Sequence, residues 1–121
     1  KPLRLLIAIN VLAADGRDVS WLWDVDFEVL AGRQDLILQI ICSGLRAEDM
    51  ALRLKYAGVA ENTLQVEHSL ERAVEALARE TRSAAGEERI FVLPTYTALF
   101  TMREILLDRS AENKERQVMT A

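Results

Sequence analysis

Two runs in this chain, Leu3–Ile9 and Leu36–Cys42, are apolar at almost every position. A strand with one wet face alternates polar and apolar residues, whereas a strand apolar throughout is covered on both faces, as in parallel sheets. Parallel neighbours need a crossover of about a dozen residues or more, usually a helix. The two runs therefore commit the chain to a sheet with helices packed on each side. Asn10 ends the first run, and Ser43-Gly44 turns the chain after the second.

The remaining pattern fills in that plan. Arg46–Ala57 sets Ala47, Met50, Ala51 and Leu54 on one helical stripe, with Gly58 just past its end. Leu64–Val66 predicts a short third strand, and Ser69 an N-cap for a helix carrying Leu70, Ala73, Val74, Leu77 and Ala78. Ile90–Leu93 predicts a fourth strand stopped by Pro94, followed by a helix over Thr97–Asp108 with Leu99, Met102, Ile105 and Leu106 facing inward. A short helix is expected after Asp26, capped by Asp24 or Asp26 and closed by Gly32. The expected fold is α/β, three-layered, with a mostly parallel sheet of about four or more strands and helices on both faces. One domain should cover residues 1–108, with 109–121 a polar, flexible tail.

Charge removes several function classes. The chain has 121 residues and a formal net charge of −4, and an acidic chain without a basic patch is a poor partner for nucleic acid or an anionic membrane. No apolar run is long enough to span a bilayer. Cys42 is the one cysteine, so no internal disulfide can form and nothing indicates an oxidising compartment; the cytoplasm is the expected location. The chain starts at Lys1-Pro2 rather than Met, as a piece excised from a longer protein would.

In parallel sheets, ligands and catalytic groups gather beyond the carboxyl ends of the strands. Those ends carry Asn10 with the Asp15 loop, Ser43–Arg46, Glu67–Ser69 and Pro94–Thr97, which should share one rim. The stretch Asp15-Gly16-Arg17-Asp18-Val19-Ser20-Trp21-Leu22-Trp23-Asp24 is the densest in chemistry, with a turn, both tryptophans and three carboxylates. Residue types alone leave two readings of it side by side: a functional loop, or core indoles with solvated acids.

Three chemistries are open to these residues. A Cys42/His68 hydrolase needs an exposed thiol of lowered pKa, but Cys42 ends a buried strand, where a small apolar residue is expected. With a single His and no cluster of ligand spacing, metal binding is not expected. A stand-alone module could hold an anion on free N–H groups at Ser43-Gly44, assisted by Arg46; Arg46 and Arg53, seven apart, read as a solvated helix face. Lastly, a carboxylate such as Asp18 could orient a histidine of another chain, since the acid of a nucleophile–His–acid triad only fixes the tautomer and charge of the imidazole.

Three ordered segments carry a family resemblance: Asp15 to Glu28 (Asp-Gly-Arg-Asp-Val-Ser-Trp-Leu-Trp-Asp-Val-Asp-Phe-Glu), Ser43 to Gly58 (Ser-Gly-Leu-Arg-Ala-Glu-Asp-Met-Ala-Leu-Arg-Leu-Lys-Tyr-Ala-Gly) and Leu93 to Leu99 (Leu-Pro-Thr-Tyr-Thr-Ala-Leu). With the chain from about Leu3 to Asp108, they resemble the C-terminal domain of the MurT family, the Mur-ligase-like subunits of lipid II isoglutaminyl synthases. The resemblance implies a Rossmann-like Mur ligase C-terminal fold. It also implies a longer subunit with a central ATP-binding domain using ATP and Mg, and a glutamine amidotransferase partner supplying a catalytic Cys and His. Ammonia from glutamine would amidate the stem-peptide D-glutamate of lipid II after ATP activates it as an acyl phosphate. This domain, inactive alone and without a cofactor of its own, would dock the amidotransferase and complete its triad through Asp18, with Asp24 the second choice. Arg17, Ser20, Trp21 and Trp23 would shape the loop or interface, the tryptophans mainly as anchors and Asp24 as a cap. Asn10, Arg46, Thr95 and Tyr96 would face the ATP domain or lipid II. Where relatives often read Asn-Asp-Asn-Ala-Ala-Asp-Gly, this chain has Val11-Leu12 after Asn10, so contacts of that polar pair are not expected here.

Overall fold

A computed structural model describes residues 2–10, 20–83 and 88–120, with side chains described over 2–10, 20–80, 88–95 and 98–110. Four strands form one sheet in the order β3-β2-β1-β4. They are β1 (Leu3–Ala8), β2 (Ile37–Ser43), β3 (Leu64–Val66) and β4 (Arg89–Pro94), and every pairing is parallel. The helices are α1 (Glu28–Ala31), α2 (Ala47–Tyr56), α3 (Leu70–Ser83) and α4 (Tyr96–Thr120), with 3-10 turns at Ser20–Trp23 and Glu61–Thr63.

The two apolar runs sit at the centre of the sheet, as their composition requires. In β1, Leu5 and Ile7, with Ile9 beyond the strand end, enter one core with Ile37, Ile40, Cys42, Met50 and Leu54. Leu6 and Ala8 enter a second core on the other face with Ile41, Val74, Leu77, Ala98 and Met102. Helix α2 covers the first face, and α3 and α4 the second, giving the three-layer α/β arrangement expected. An irregularity in β2 opposite Leu3/Arg4 changes the parity there, so Ile37 and Ile40 share a face although three residues apart, and Leu38 is left exposed.

The ends of the elements follow local chemistry. After α2, Gly58 takes a positive φ of 103°, its N–H donates to Lys55 O at 3.1 Å and the Val59 N–H to Leu54 O at 3.0 Å. This is a Schellman closure, satisfying carbonyls that the helix leaves free. Ser69 caps α3 through Oγ, which accepts the Arg72 N–H at 3.2 Å.

Three expectations are corrected. The inward face of α4 is Ala98, Met102 and Ile105, while Leu99 and Leu106 are exposed. Each leucine lies about 100° further round the helix, and the small Ala98 is what meets the sheet. The α4 backbone also continues to Thr120, beyond the Asp108 limit expected of that helix. In α1 the N-cap is Phe27, without a side-chain cap hydrogen bond. Neither Asp24 nor Asp26 plays that part.

Candidate functional site

The strand order places the site. The chain steps from β1 to β2 to β3 in one direction and then passes back to lay β4 on the far side of β1. The reversal between β1 and β4 is the switch point at which such sheets open a crevice. Asn10 and Thr95 stand at its lip. The Asn10 N–H donates to Thr95 Oγ1 at 3.1 Å, and the Thr95 N–H to Ala8 O at 2.9 Å.

The same asparagine reaches the next strand end. Asn10 Oδ1 accepts the Leu45 N–H at 3.1 Å, and the Arg46 N–H donates to Ile9 O at 2.9 Å. Gly44, at φ +89°, packs so tightly here that a β-carbon would stand 2.6 Å from Ile9 O and 2.7 Å from Asn10 Oδ1. Its N–H donates to His68 O at 3.2 Å, and Ser43 Oγ donates to the same carbonyl at 3.4 Å. The His68 ring in turn meets Glu48. The strand-end segments at Asn10, Ser43–Arg46, Glu67–Ser69 and Thr95 are thus stitched into one rim.

That stitching uses up the backbone donors an anion would need. The N–H groups of Gly44, Leu45 and Arg46 donate to His68, Asn10 and Ile9, and that of Ala47 to Gly44 O at 3.3 Å. The Glu48 carboxylate accepts its own N–H, which together with His68 holds it below the usual carboxylate range. The first turn of α2 also carries Glu48 and Asp49, and Arg46 faces Asp49 at 3.5 Å. The backbone at Ser43-Gly44 therefore offers no N–H cradle to an anion, while the Arg46 side chain keeps a buried Nε without a partner among the described residues.

The Cys42/His68 pairing is also absent. Cys42 is fully buried, and burial pushes its thiol up to about 12; His68 Nε2 is committed to Glu48 on the surface. Among the described residues, no group of three or more His, Cys, Asp or Glu could hold a metal ion, and no helix is long and apolar enough to cross a membrane. The open groove of about 340 Å³ between α2 and β3 is mostly apolar, lined by Ala51, Leu52, Leu64 and Val66 with Glu48, Lys55 and Glu61. Its lining carries no Ser, Thr, Cys or His.

Of the residues singled out from sequence, Asn10, Arg46 and Thr95 meet on the rim. Tyr96 opens α4, its side chain outside the described set. Asp18 and Arg17, with Val11 and Leu12, lie outside the described residues. Ser20, Trp21 and Trp23 form the 3-10 turn that follows them. Leu22, 1% exposed, is the residue of this turn that enters the core, while Trp21 and Trp23 are 39% and 50% exposed. Alternation around a short turn sends one side chain inward and its neighbours out. Asp24 is exposed, and its N–H closes the turn on Trp21 O at 3.0 Å.

The sequence reading of Arg53 as solvated is corrected by its surroundings. The residue is 4% exposed, not part of a solvated face. Its Nε donates to Leu22 O at 2.8 Å, Nη2 to Val25 O at 2.7 Å, and Nη1 and Nη2 to the two Glu28 oxygens at 3.0 and 2.9 Å. The guanidinium carbon lies 5.2 Å from the Trp23 ring centroid and 5.5 Å from that of Phe27, and Trp23 meets Tyr56 edge-on at 5.6 Å. The hydrogen bonds from Arg53 hold the Glu28 carboxyl down at about 2. The available signal was the run Asp24, Asp26 and Glu28, three acids within five residues that call for a cation elsewhere in the chain.

A family model described as MurT ligase C-terminal matches residues 1–99. The chain is 32% identical over 114 residues to the subunit MurT of lipid II isoglutaminyl synthase (glutamine-hydrolyzing) of Streptococcus pneumoniae (strain ATCC BAA-255 / R6), covering 94% of this chain and 24% of that protein. It is 41% identical over 107 residues to the protein of the same name from Staphylococcus aureus (strain COL), covering 88% and 22%. The chain therefore spans about a quarter of the length of the curated relatives it matches.

Proposed function

This chain belongs to the MurT ligase C-terminal family, and on that premise we propose that it is the accessory domain of a two-subunit amidating ligase acting on lipid II. The domain docks a glutamine amidotransferase subunit and lends it the acid of a Cys–His–acid triad. Asp18 is that acid and Asp24 the second choice. The carboxylate accepts the N–H of the partner's imidazole, fixing the tautomer that takes the nucleophile's proton and favouring the charged form that results.

One observation carries the reading: the described strand ends meet in the rim of an α/β site whose backbone N–H groups at Gly44, Leu45, Arg46 and Ala47 are already bonded within the chain. A rim so built serves chemistry supplied from elsewhere. An exposed two-tryptophan turn directly follows Asp18 in the chain, and exposed tryptophan is enriched where partners meet.

ATP belongs to this account only through the full-length subunit. The occupied N–H groups at the start of α2 leave no backbone cradle for the phosphates of ATP, so no step on ATP is assigned to this domain. Asn10, Thr95 and Arg46 face the subunit's own central domain or lipid II, and the chemistry takes place on the cytoplasmic side.

Size-exclusion chromatography of the full-length subunit with its glutamine amidotransferase tests the assembly. Co-elution as one complex, lost when residues 1–108 are deleted, is the expected result. Separate elution of the intact proteins overturns the docking role.

A further inference from the structure

We propose that the glutamine amidotransferase subunit seats on the outer flank of α2, over Trp23, Leu52 and Tyr56, on a surface separate from the strand-end rim. The inference rests on the accessory-domain reading and adds to it the face on which the partner sits.

Large apolar side chains gather on this flank while facing water. Trp23, Leu52 and Tyr56 are 50%, 48% and 70% exposed. Leu52 and Tyr56, four apart on α2, share one helix face, and the Trp23 ring meets that of Tyr56 edge-on at 5.6 Å. Two grooves of about 340 and 380 Å³, both lined by Leu52 and Lys55, carry the surface from Tyr56 to Leu64 and Val66 of β3. Trp and Tyr are the side chains most enriched where binding energy concentrates. The Trp23 indole is also held in advance, with the Arg53 guanidinium 5.2 Å from its centroid, so docking has less side-chain freedom to remove.

Chain reach selects the occupant. Asp18 stands two residues before Ser20, and two peptide units hold their Cα atoms within about 7 Å on any path. A partner that takes up the Asp18 carboxylate therefore arrives beside the Ser20–Trp23 turn. A standard interface of about 800 Å² per side, a patch of roughly 16 Å radius, then extends over Trp23 and its neighbours. Exposed Phe91, Leu93 and Leu107 on β4 and α4 have no such tie.

The flank is also distinct from the rim. Arg53 and Tyr56 lie seven and ten residues beyond Arg46, about 10 and 15 Å along the helix. Arg53 bonds the Leu22 and Val25 carbonyls, which sets the turn at that level of α2, away from Asn10 and Thr95. The rim thus stays open to the central domain or lipid II while the amidotransferase is bound. Exposed Asp24 and Asp26 border the flank, and Lys55 is matched by Glu61 at 2.7 Å. The complementary face is apolar at its centre and fringed by lysine or arginine.

The test measures binding of the full-length subunit to its glutamine amidotransferase by surface plasmon resonance, comparing wild type with Leu52→Glu, Tyr56→Ala and, on α4, Leu107→Glu. Leu52→Glu and Tyr56→Ala should each raise Kd at least about tenfold, mainly through faster dissociation, with Tm unchanged because both side chains face water. Leu107→Glu should bind as wild type does, and added salt should slow wild-type association. Wild-type Kd in both α2 variants overturns the α2 flank and leaves the accessory-domain reading standing; a raised Kd in Leu107→Glu alone moves the partner to the β4 and α4 edge. Weakened binding that only follows a lowered Tm also contradicts the flank. An association rate indifferent to salt overturns the basic fringe. Absence of binding between the wild-type proteins overturns the accessory-domain reading itself.

Discussion

Gly44 and Ile9 approach so closely that a β-carbon on the glycine would lie 2.6 Å from the isoleucine carbonyl oxygen. The contact joins the ends of β2 and β1, and the glycine also sits at φ +89°, where a side chain is strained wherever it points. Gly44→Ala should therefore cost about 3 kcal/mol, combining backbone strain with a displaced strand end. Urea denaturation would read this as a lower midpoint at unchanged slope. A wild-type midpoint would mean that the rim yields at this point and is not rigid.

Across the switch point, Thr95 accepts the Asn10 N–H at 3.1 Å. Thr95→Val keeps the shape and removes the acceptor, leaving a partly buried donor unpaired. A loss of about 1 to 2 kcal/mol is expected, with Thr95→Ser close to wild type. Equal losses in both variants would point to the methyl group rather than the hydrogen bond.

The Arg53–Glu28 pair gives the fold a pH dependence of known sign. Glu28 is held at about 2, against an ordinary 4.5. A carboxyl depressed in the folded state stabilises it fully above the unfolded pKa and loses that contribution as pH falls through the folded value. The stability gap between wild type and Glu28→Gln should thus be constant near neutrality, shrink below about pH 4.5 and vanish near pH 2. A gap that persists at the acid end would assign the effect to packing instead.

How far all this is legible from sequence depends on what each residue answers to. Leu3–Ile9 and Leu36–Cys42 reveal their strands because burial on both faces leaves no room for polar side chains. Gly58 and Ser69 mark their helix ends because φ and capping are local demands. The rim follows from strand order, and Asn10, Ser43-Gly44 and Thr95 do meet there. Arg53 is different: its partners are 25 to 31 residues away, and nothing in α2 itself separates a buried arginine from a solvated one. Leu99 and Leu106 mislead for a related reason. Their spacing fits a helix face, but only the approach of Ala98 to the sheet decides which face turns inward.

Cys42 offers a check on the excluded chemistry. With the side chain fully buried and the thiol pushed up to about 12, it should react with an aromatic disulfide reagent at least about a hundredfold more slowly in the native protein than in urea. Comparable rates in the two states would restore a solitary Cys/His enzyme as a candidate.

The central claim is that this domain completes a triad across an interface, and glutaminase turnover of the assembled complex carrying Asp18→Asn tests it most directly. The account predicts a complex that still co-elutes and binds glutamine but has lost nearly all turnover, because the amide cannot hold the partner's imidazole in its working tautomer. Turnover close to wild type in that assembled complex would contradict it.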